Sequence, residues 1–120
     1  MFTGIVEEVG LVQEAAETLG NLRLRVGAKR VLEGLGLGDS VALSGCCLTV
    51  VDQDAESFAV ELSRETLAKT AGRWAVGARV NLERSMRADG RFGGHFVSGH
   101  VEGVGEVLSV QDAPGAYVLT

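Results

Sequence analysis

Residues 3–12 read TGIVEEVGLV, and residues 98–107 read SGHVEGVGEV. Six of the ten positions are identical at one constant offset of 95 residues, so that Gly4 corresponds to Gly99. A fixed repeat period defines a structural unit. The pattern therefore predicts one unit of that length and the start of a second copy. The alternative is a chance likeness between two strands that are both rich in Gly and Val.

The composition limits the classes of function. The chain has 120 residues, a net charge of −5 and a pI near 5.0, with 46% hydrophobic and 22% charged residues. This size suits one folded core, and the negative charge argues against a nucleic-acid partner. No apolar run approaches the roughly 20 residues needed to span a membrane. Because the first residues also lack the features of a signal peptide, we expect a cytoplasmic protein without a membrane partner.

The hydrophobic pattern predicts an all-β fold. Leu22, Leu24 and Val26 alternate with arginines, as in a half-buried strand. Further strands are predicted at 3–14, 40–43, 46–51, 58–62 and 76–82, with short helical connections at 28–35 and 63–69. Six strands with one buried face must hide their edges, and closure does so. We therefore predict a six-stranded Greek-key closed barrel over residues 1–96, followed by the first strands of an incomplete second barrel over residues 97–120.

Residues 44–50, SGCCLTV, are the most distinctive candidate for chemistry. Because side chains alternate along a strand, Cys47 and Thr49 should share one face, and Ser40 is close enough in the hairpin to join them. The other face should carry the apolar set Cys46, Leu48 and Val50. A thiol beside hydroxyls can bind a small polar heterocycle. The alternative is that both cysteines are small buried hydrophobes; adjacent cysteines suit neither a disulfide nor a zinc pair.

Two further segments are candidates for a site. His95 and His100 are the two histidines of the chain; they are too few for a metal site, and we predict none. His100 stands where the first copy has Ile5, and it is either an acid or base beside a ligand or a solvated side chain. Residues 61–66 end a strand and begin a short helix, where free amides, with Thr66, can donate hydrogen bonds to the carbonyls of a bound ring.

The segments 1–6, 44–50, 65–67 and 93–101 closely resemble the two-barrel (alpha chain) riboflavin synthase family. The resemblance implies two tandem barrels and a dismutation in which one 6,7-dimethyl-8-ribityllumazine gives a four-carbon unit to another. The products are riboflavin and 5-amino-6-ribitylamino-pyrimidinedione. It also implies a homotrimer without metal or redox cofactor, whose active site lies between the N-terminal barrel of one subunit and the C-terminal barrel of another.

The resemblance also assigns residues to sites. One lumazine site would be lined by Gly4, Ile5, Val6, Gly99, His100 and Val101. The other would be lined by Cys47, Leu48, Thr49, Glu61, Leu62, Ser63, Arg64, Glu65 and Thr66. Ser40 and Cys47 would be catalytic helpers, and His100 would transfer protons. The alternatives are a non-catalytic lumazine- or flavin-binding protein and a flavin-binding module of an oxidoreductase. By itself the 120-residue chain is expected to bind ligand and to turn over weakly or not at all.

Overall fold

A computed structural model describes residues 1–71, 74–93 and 103–120. The strands are β1 (Glu8–Thr18), β2 (Asn21–Gly27), β3 (Ser40–Leu43), β4 (Cys46–Gln53), β5 (Ser57–Leu62), β6 (Arg79–Arg84), β7 (Val110–Ala113) and β8 (Ala116–Leu119). Between them lie a 3-10 turn, Arg30–Leu32, and the short helix α1, Arg64–Lys69. Neither helical element of the described ranges is long or apolar enough to cross a bilayer.

The first six strands form a closed antiparallel barrel in the order β1–β2–β5–β4–β3–β6. β5 inserts between β2 and β4, and β3 lies between β4 and β6, which is a Greek-key connection. The predicted all-β barrel with short helical connections is confirmed. Closure matters for the site because it places β6, β3, β4 and β5 side by side, in that order, on one flank of the barrel.

The barrel interior is filled by alternate residues of the strands. On β2, Leu24 and Val26 are fully buried, as their alternation predicted. Arg23 and Arg25 between them point outward and form ion pairs with acidic residues of β4, β5 and their connecting turn. The other large side chains that are fully buried are Val12, Val31, Val41, Leu43, Val50, Phe58, Val60, Leu62, Val80 and Leu82.

The first strand begins later than the sequence predicted. The predicted range was 3–14, whereas β1 starts at Glu8. Gly4 has a positive φ of 77°, which an extended strand does not permit. The backbone N–H groups of Thr3 and Gly4 donate to the carboxylate of Glu83 and not to a neighbouring strand. Residues 3–7, which we call the N-terminal segment, therefore precede β1 and touch the strand pairing only at Glu7, whose N–H donates to the Leu82 carbonyl of β6. The repeated sequence includes this segment.

The hairpin of β7 and β8 repeats the hairpin of β1 and β2. Ala113 pairs with Ala116, just as Thr18 pairs with Asn21 at an offset of 95 residues. The next three cross-strand pairs follow the same register. The sequence repeat is thus also a repeat of strand pairing. The boundary between the units, 1–96 and 97–120, stays a prediction because it falls within residues 94–102, outside the described ranges.

Candidate functional site

The outer face of β3 and β4 carries a small group of polar side chains. Ser40 pairs with Thr49 across the two strands, and Ala42 pairs with Cys47. Because directly paired residues point to the same face of a sheet, Ser40, Cys47 and Thr49 share the outer face. Thr49 is exposed, and the other two are half-buried. We refer to these three residues as the polar patch.

The opposite face of β4 points into the core. Cys46, Leu48 and Val50 are 7%, 6% and 1% exposed, which confirms the predicted division of the strand into two faces. Leu48, which was predicted to contact substrate, therefore offers the outer surface its backbone and not its side chain. Burial raises the pKa of the Cys46 thiol, and the neighbouring Cys47 raises it further.

β4 and β5 part beside the polar patch. Their pairing covers Val50, Asp52 and Gln53 of β4, although β4 runs back to Cys46 and β5 runs on to Leu62. Val50 exchanges backbone hydrogen bonds with the chain that enters β3. Because peptide groups alternate in direction along a strand, those of Cys47 and Thr49 point the other way, toward β5. We call this unpaired stretch between β4 and the end of β5 the cleft. The main chain of Cys47 and the N–H of Thr49 lie along its β4 side.

The side chains of residues 61–66 do not all face this cleft. Leu62 is fully buried in the core. Glu61 accepts a hydrogen bond of 3.4 Å from Arg23 on β2. Arg64 lies over the β1–β2 turn, where a Cβ atom on Gly20 would come within 2.2 Å of its Nε. Since β2 and β4 flank β5 on opposite sides, the charged groups of Glu61 and Arg64 are directed away from the patch.

Two hydroxyls remain at the start of α1. Ser63 Oγ accepts the N–H of Thr66 at 3.2 Å and lies 3.0 Å from Thr66 Oγ1. The amide of Thr66 is therefore not free for a ligand, although its hydroxyl is accessible. Among the described residues no acceptor is found for the amides of Arg64 and Glu65, while the Glu65 side chain is paired with Lys69 at 2.8 Å. Ser63, Thr66 and these two amides form the β5 side of the cleft.

A cavity of about 520 Å³ lies on the other flank, between the N-terminal segment and the end of β6. Ile5 and Ser40 both line it, together with Leu35, Met86 and Phe92. Sequence resemblance assigned Ile5 to one set of substrate contacts and grouped Ser40 with the other. The structure brings the two residues to a single cavity wall. Gly4 and Val6 are exposed beside it.

Two acidic side chains attach the N-terminal segment to β6. Glu83 accepts the Thr3 N–H at 2.5 Å, the Thr3 hydroxyl at 2.8 Å and the Gly4 N–H at 3.1 Å. Arg84 donates from Nε and Nη2 to Glu7, the shortest contact being 2.6 Å. The hydrogen bonds from Arg84 hold the pKa of the Glu7 carboxyl below its ordinary value. Sequence reasoning missed both acids, because their partners lie 77 to 80 positions away in the chain.

Cys46 borders a second cavity, of about 340 Å³, near the β3–β4 turn. Ser44, Trp74 and Asn81 are among its other lining residues. The indole of Trp74 donates to the hydroxyl of Thr70 at 2.9 Å. The two adjacent cysteines thus border different parts of the molecule, and only Cys47 belongs to the polar patch.

Four residues that the sequence singled out fall outside the described ranges. They are His95, Gly99, His100 and Val101. Their predicted roles as substrate contacts or as a proton-transfer group therefore stay predictions. Within the described ranges no group of three or more His, Cys, Asp or Glu side chains is placed to hold a metal ion.

Sequence comparison relates the chain to proteins with a named activity. The profile of the lumazine binding domain matches residues 3–85. Riboflavin synthase of Bacillus subtilis (strain 168) is 43% identical over 117 residues, which cover 97% of this chain and 54% of that protein. Riboflavin synthase of Schizosaccharomyces pombe is 42% identical over 110 residues, which cover 90% of this chain and 53% of that protein. The chain thus spans about half the length of the curated relatives it matches.

Structural comparison gives neighbours that contain ligands. The crystal structure of LumP complexed with riboflavin matches with a TM-score of 0.79 at 25% identity, over 94% of this chain and 62% of that one. LumP complexed with 6,7-dimethyl-8-(1'-D-ribityl) lumazine matches with a TM-score of 0.73 at 25% identity, over 94% and 60% of the two chains.

Proposed function

This chain belongs to the lumazine-binding domain family, and from that premise we propose that its barrel binds 6,7-dimethyl-8-ribityllumazine and that the protein acts as a riboflavin synthase. The reaction is a dismutation. One lumazine transfers a four-carbon unit to a second, which becomes riboflavin, while the donor becomes 5-amino-6-ribitylamino-pyrimidinedione. The similarity to named riboflavin synthases at 42–43% identity supports this assignment.

The observation that best supports this function is the cleft where β4 and β5 separate beside the polar patch. A pyrimidinedione ring has an edge of alternating carbonyl and N–H groups. The main chain of Cys47 and the N–H of Thr49 on one side, and the amides of Arg64 and Glu65 with the Thr66 hydroxyl on the other, would supply donors and acceptors to such an edge. The ring would then lie across the outer face of β4, within reach of the Cys47 thiol.

The chemistry requires two lumazines held together, and proximity is the main contribution expected of the protein. Ser40 and Cys47 are assigned as catalytic helpers, and His100 as the group that transfers protons. The second lumazine would come from the related barrel of another subunit in a homotrimer, as in the family. The proposed reaction uses no metal or redox cofactor, because one lumazine serves as the donor and the other as the acceptor of the four-carbon unit. We place the protein in the cytoplasm with its substrate.

The second candidate is a lumazine- or flavin-binding protein without turnover. The match to ligand-bound LumP favours it, since those structures are described as complexes with riboflavin and lumazine. The half-buried Cys47 thiol in the polar patch favours the enzyme, because binding alone does not require a thiol.

One incubation separates the candidates. The full-length polypeptide that carries this sequence is mixed with 6,7-dimethyl-8-ribityllumazine alone, and riboflavin and the pyrimidinedione are quantified by chromatography. The enzyme gives the two products in equal amounts. Tight binding of lumazine without product would support the second candidate, and the absence of both binding and product would refute each of them.

A further inference from the structure

Glu83 lies in the same cross-strand row as Cys47. Glu83 pairs with Ala42 between β6 and β3, and Ala42 pairs with Cys47 between β3 and β4. The three side chains therefore share the outer face. Since adjacent strands are about 4.8 Å apart, the backbone of Glu83 is about 10 Å from that of Cys47. Only the methyl group of Ala42, which is 4% exposed, lies between them in the row.

The hydrogen bonds that Glu83 accepts all come from the N-terminal segment. Its Oε1 accepts both the N–H and the hydroxyl of Thr3, and both oxygens accept the N–H of Gly4. In the part of the chain that the structure describes, Glu83 has no ion-pair partner. Three donors of the segment thus share this carboxylate, and we expect it to affect a ligand through the segment that it holds.

The same end of β6 also holds the polar patch. The N–H of Ser85 donates to the carbonyl of Ser40 at 3.1 Å. Ile5, which follows the two anchored residues, lines the 520 Å³ cavity together with Ser40. Ser40 and the N-terminal segment are thus both attached around the end of β6. The N–H of Ser85, just after the strand, holds Ser40, and the Glu83 carboxylate is one of the groups that hold the segment.

We infer that Glu83 is a positioning residue of the ligand site: it fixes Thr3 and Gly4 so that Ile5 closes the β6 side of the pocket that contains Ser40. The inference rests on the proposed function, because the ligand concerned is the lumazine or flavin whose ring is proposed to lie across the outer face of β4, next to the Ser40 wall of this cavity. Loss of the carboxylate releases Thr3 and Gly4, while the contacts of Met1 and Glu7 on either side remain, and the ligand then has to order the released stretch on binding. That ordering cost lowers affinity without a change in any group that touches the ligand.

The test compares Glu83→Gln with a matched control, Asp54→Asn. Asp54 accepts two N–H groups and one hydroxyl, from Glu56 and Ser57 at 2.8–2.9 Å, in the β4–β5 turn at the far end of the strands from the cleft. The two variants thus remove, from different places, carboxylates that accept the same number of N–H and hydroxyl groups, and Asp54 in addition forms an ion pair with Arg25 at 3.1 Å. Riboflavin affinity is measured by fluorescence titration, hydrogen exchange is followed at the amides of Thr3 and Gly4, and Tm is recorded for each protein.

We expect Glu83→Gln to weaken riboflavin binding about tenfold, the loss expected from freeing a charge-assisted contact, and to speed exchange at Thr3 and Gly4. Asp54→Asn should lower Tm and leave both the affinity and these two amides unchanged. If Glu83→Gln binds riboflavin as tightly as the unmodified protein, or if its Thr3 and Gly4 amides exchange no faster, the inference is wrong. If the unmodified protein itself binds neither riboflavin nor lumazine, the proposed function is wrong. This result differs from the one that would refute only the role of Glu83.

Discussion

Cys46 and Cys47 are adjacent in the chain, yet their side chains lie on opposite faces of β4, one in the barrel core and the other in the polar patch. Successive side chains of a strand point to opposite faces, and this alone is sufficient to cause the separation. Two thiols on consecutive residues therefore differ in their access to solvent. A pair of single substitutions can therefore separate a packing role from a role at the ligand site.

Replacement of Cys47 by Ser should impair riboflavin formation and leave the free energy of unfolding nearly unchanged, because the side chain lies at the surface beside Thr49. Replacement of Cys46 by Ser should leave riboflavin formation nearly unchanged and lower the free energy of unfolding. It buries a hydroxyl in an apolar environment, which costs about 1–3 kcal/mol of stability. Steady-state product formation and urea unfolding of the full-length protein measure both effects. Equal losses of activity in the two variants would contradict the assignment of Cys47 to the site.

The ion pair of Glu7 with Arg84 predicts a pH dependence of stability. The folded-state pKa of Glu7 lies below the ordinary value of 4.5. Its contribution is therefore complete above that ordinary value and is lost as the pH falls through the lower folded-state pKa. Glu7→Gln should lower the free energy of unfolding by about 1–3 kcal/mol at neutral pH. The difference from the unmodified protein should shrink as the pH is lowered toward 3, which urea titrations at a series of pH values can follow.

A surface carboxylate provides the control for this pair. Glu65 forms an ion pair with Lys69 four residues along α1, and its side chain is 76% exposed. Exposed pairs of this kind contribute little. Glu65→Gln should therefore leave the unfolding curves at all pH values within error of the unmodified protein. A Glu7→Gln effect that persists unchanged at low pH would show that packing, and not charge, is lost.

The repeat provides a matched pair of glycines. Gly10 and Gly105 occupy the same position in the two copies. A Cβ on Gly10 would lie 2.7 Å from Leu82 Cδ1 and 3.1 Å from the carbonyl oxygen of Gly27, whereas a Cβ on Gly105 would meet no atom of the described residues within 4 Å. Gly10→Ala should cost about 1–3 kcal/mol through overpacking, and Gly105→Ala should cost nothing measurable in this chain. Thermal melts of both variants check this, and equal melting temperatures would refute the close approach at Gly10.

Alternation predicted the barrel well because it is a local signal. The faces of β4 follow directly from the order of polar and apolar side chains, whereas β3 has three buried residues in a row, Val41, Ala42 and Leu43. The start of β1 was predicted five residues too early, since the Gly4–Val6 stretch is apolar enough to look like a strand. The Gly4 amide donates there to the carboxylate of Glu83, 79 residues away, and no local pattern can indicate that partner.

The sequence predicted which strand faces form the candidate site, but not the orientation of every side chain around it. Cys47 and Thr49 could be assigned to one face from their spacing, and pairing with Ser40 followed from a tight hairpin. The orientations of Glu61 and Arg64 could not be assigned in this way. They depend on Arg23 and on the space above Gly20, which only the order of strands brings close. Sequence thus identifies which segments meet, and the strand order decides which of their side chains turn toward the site.

The start of α1 provides a final prediction, because stability and binding should separate between two neighbouring hydroxyls. Ser63→Ala removes the cap that accepts the Thr66 amide and should cost about 1 kcal/mol of stability. Thr66→Val keeps that amide and loses only the hydroxyl. It should leave Tm nearly unchanged and weaken lumazine binding about threefold to tenfold, the equivalent of one hydrogen bond. Fluorescence titrations with lumazine and thermal melts measure the two effects. If Thr66→Val binds lumazine like the unmodified protein, the β5 side of the cleft does not contact the ligand through this hydroxyl.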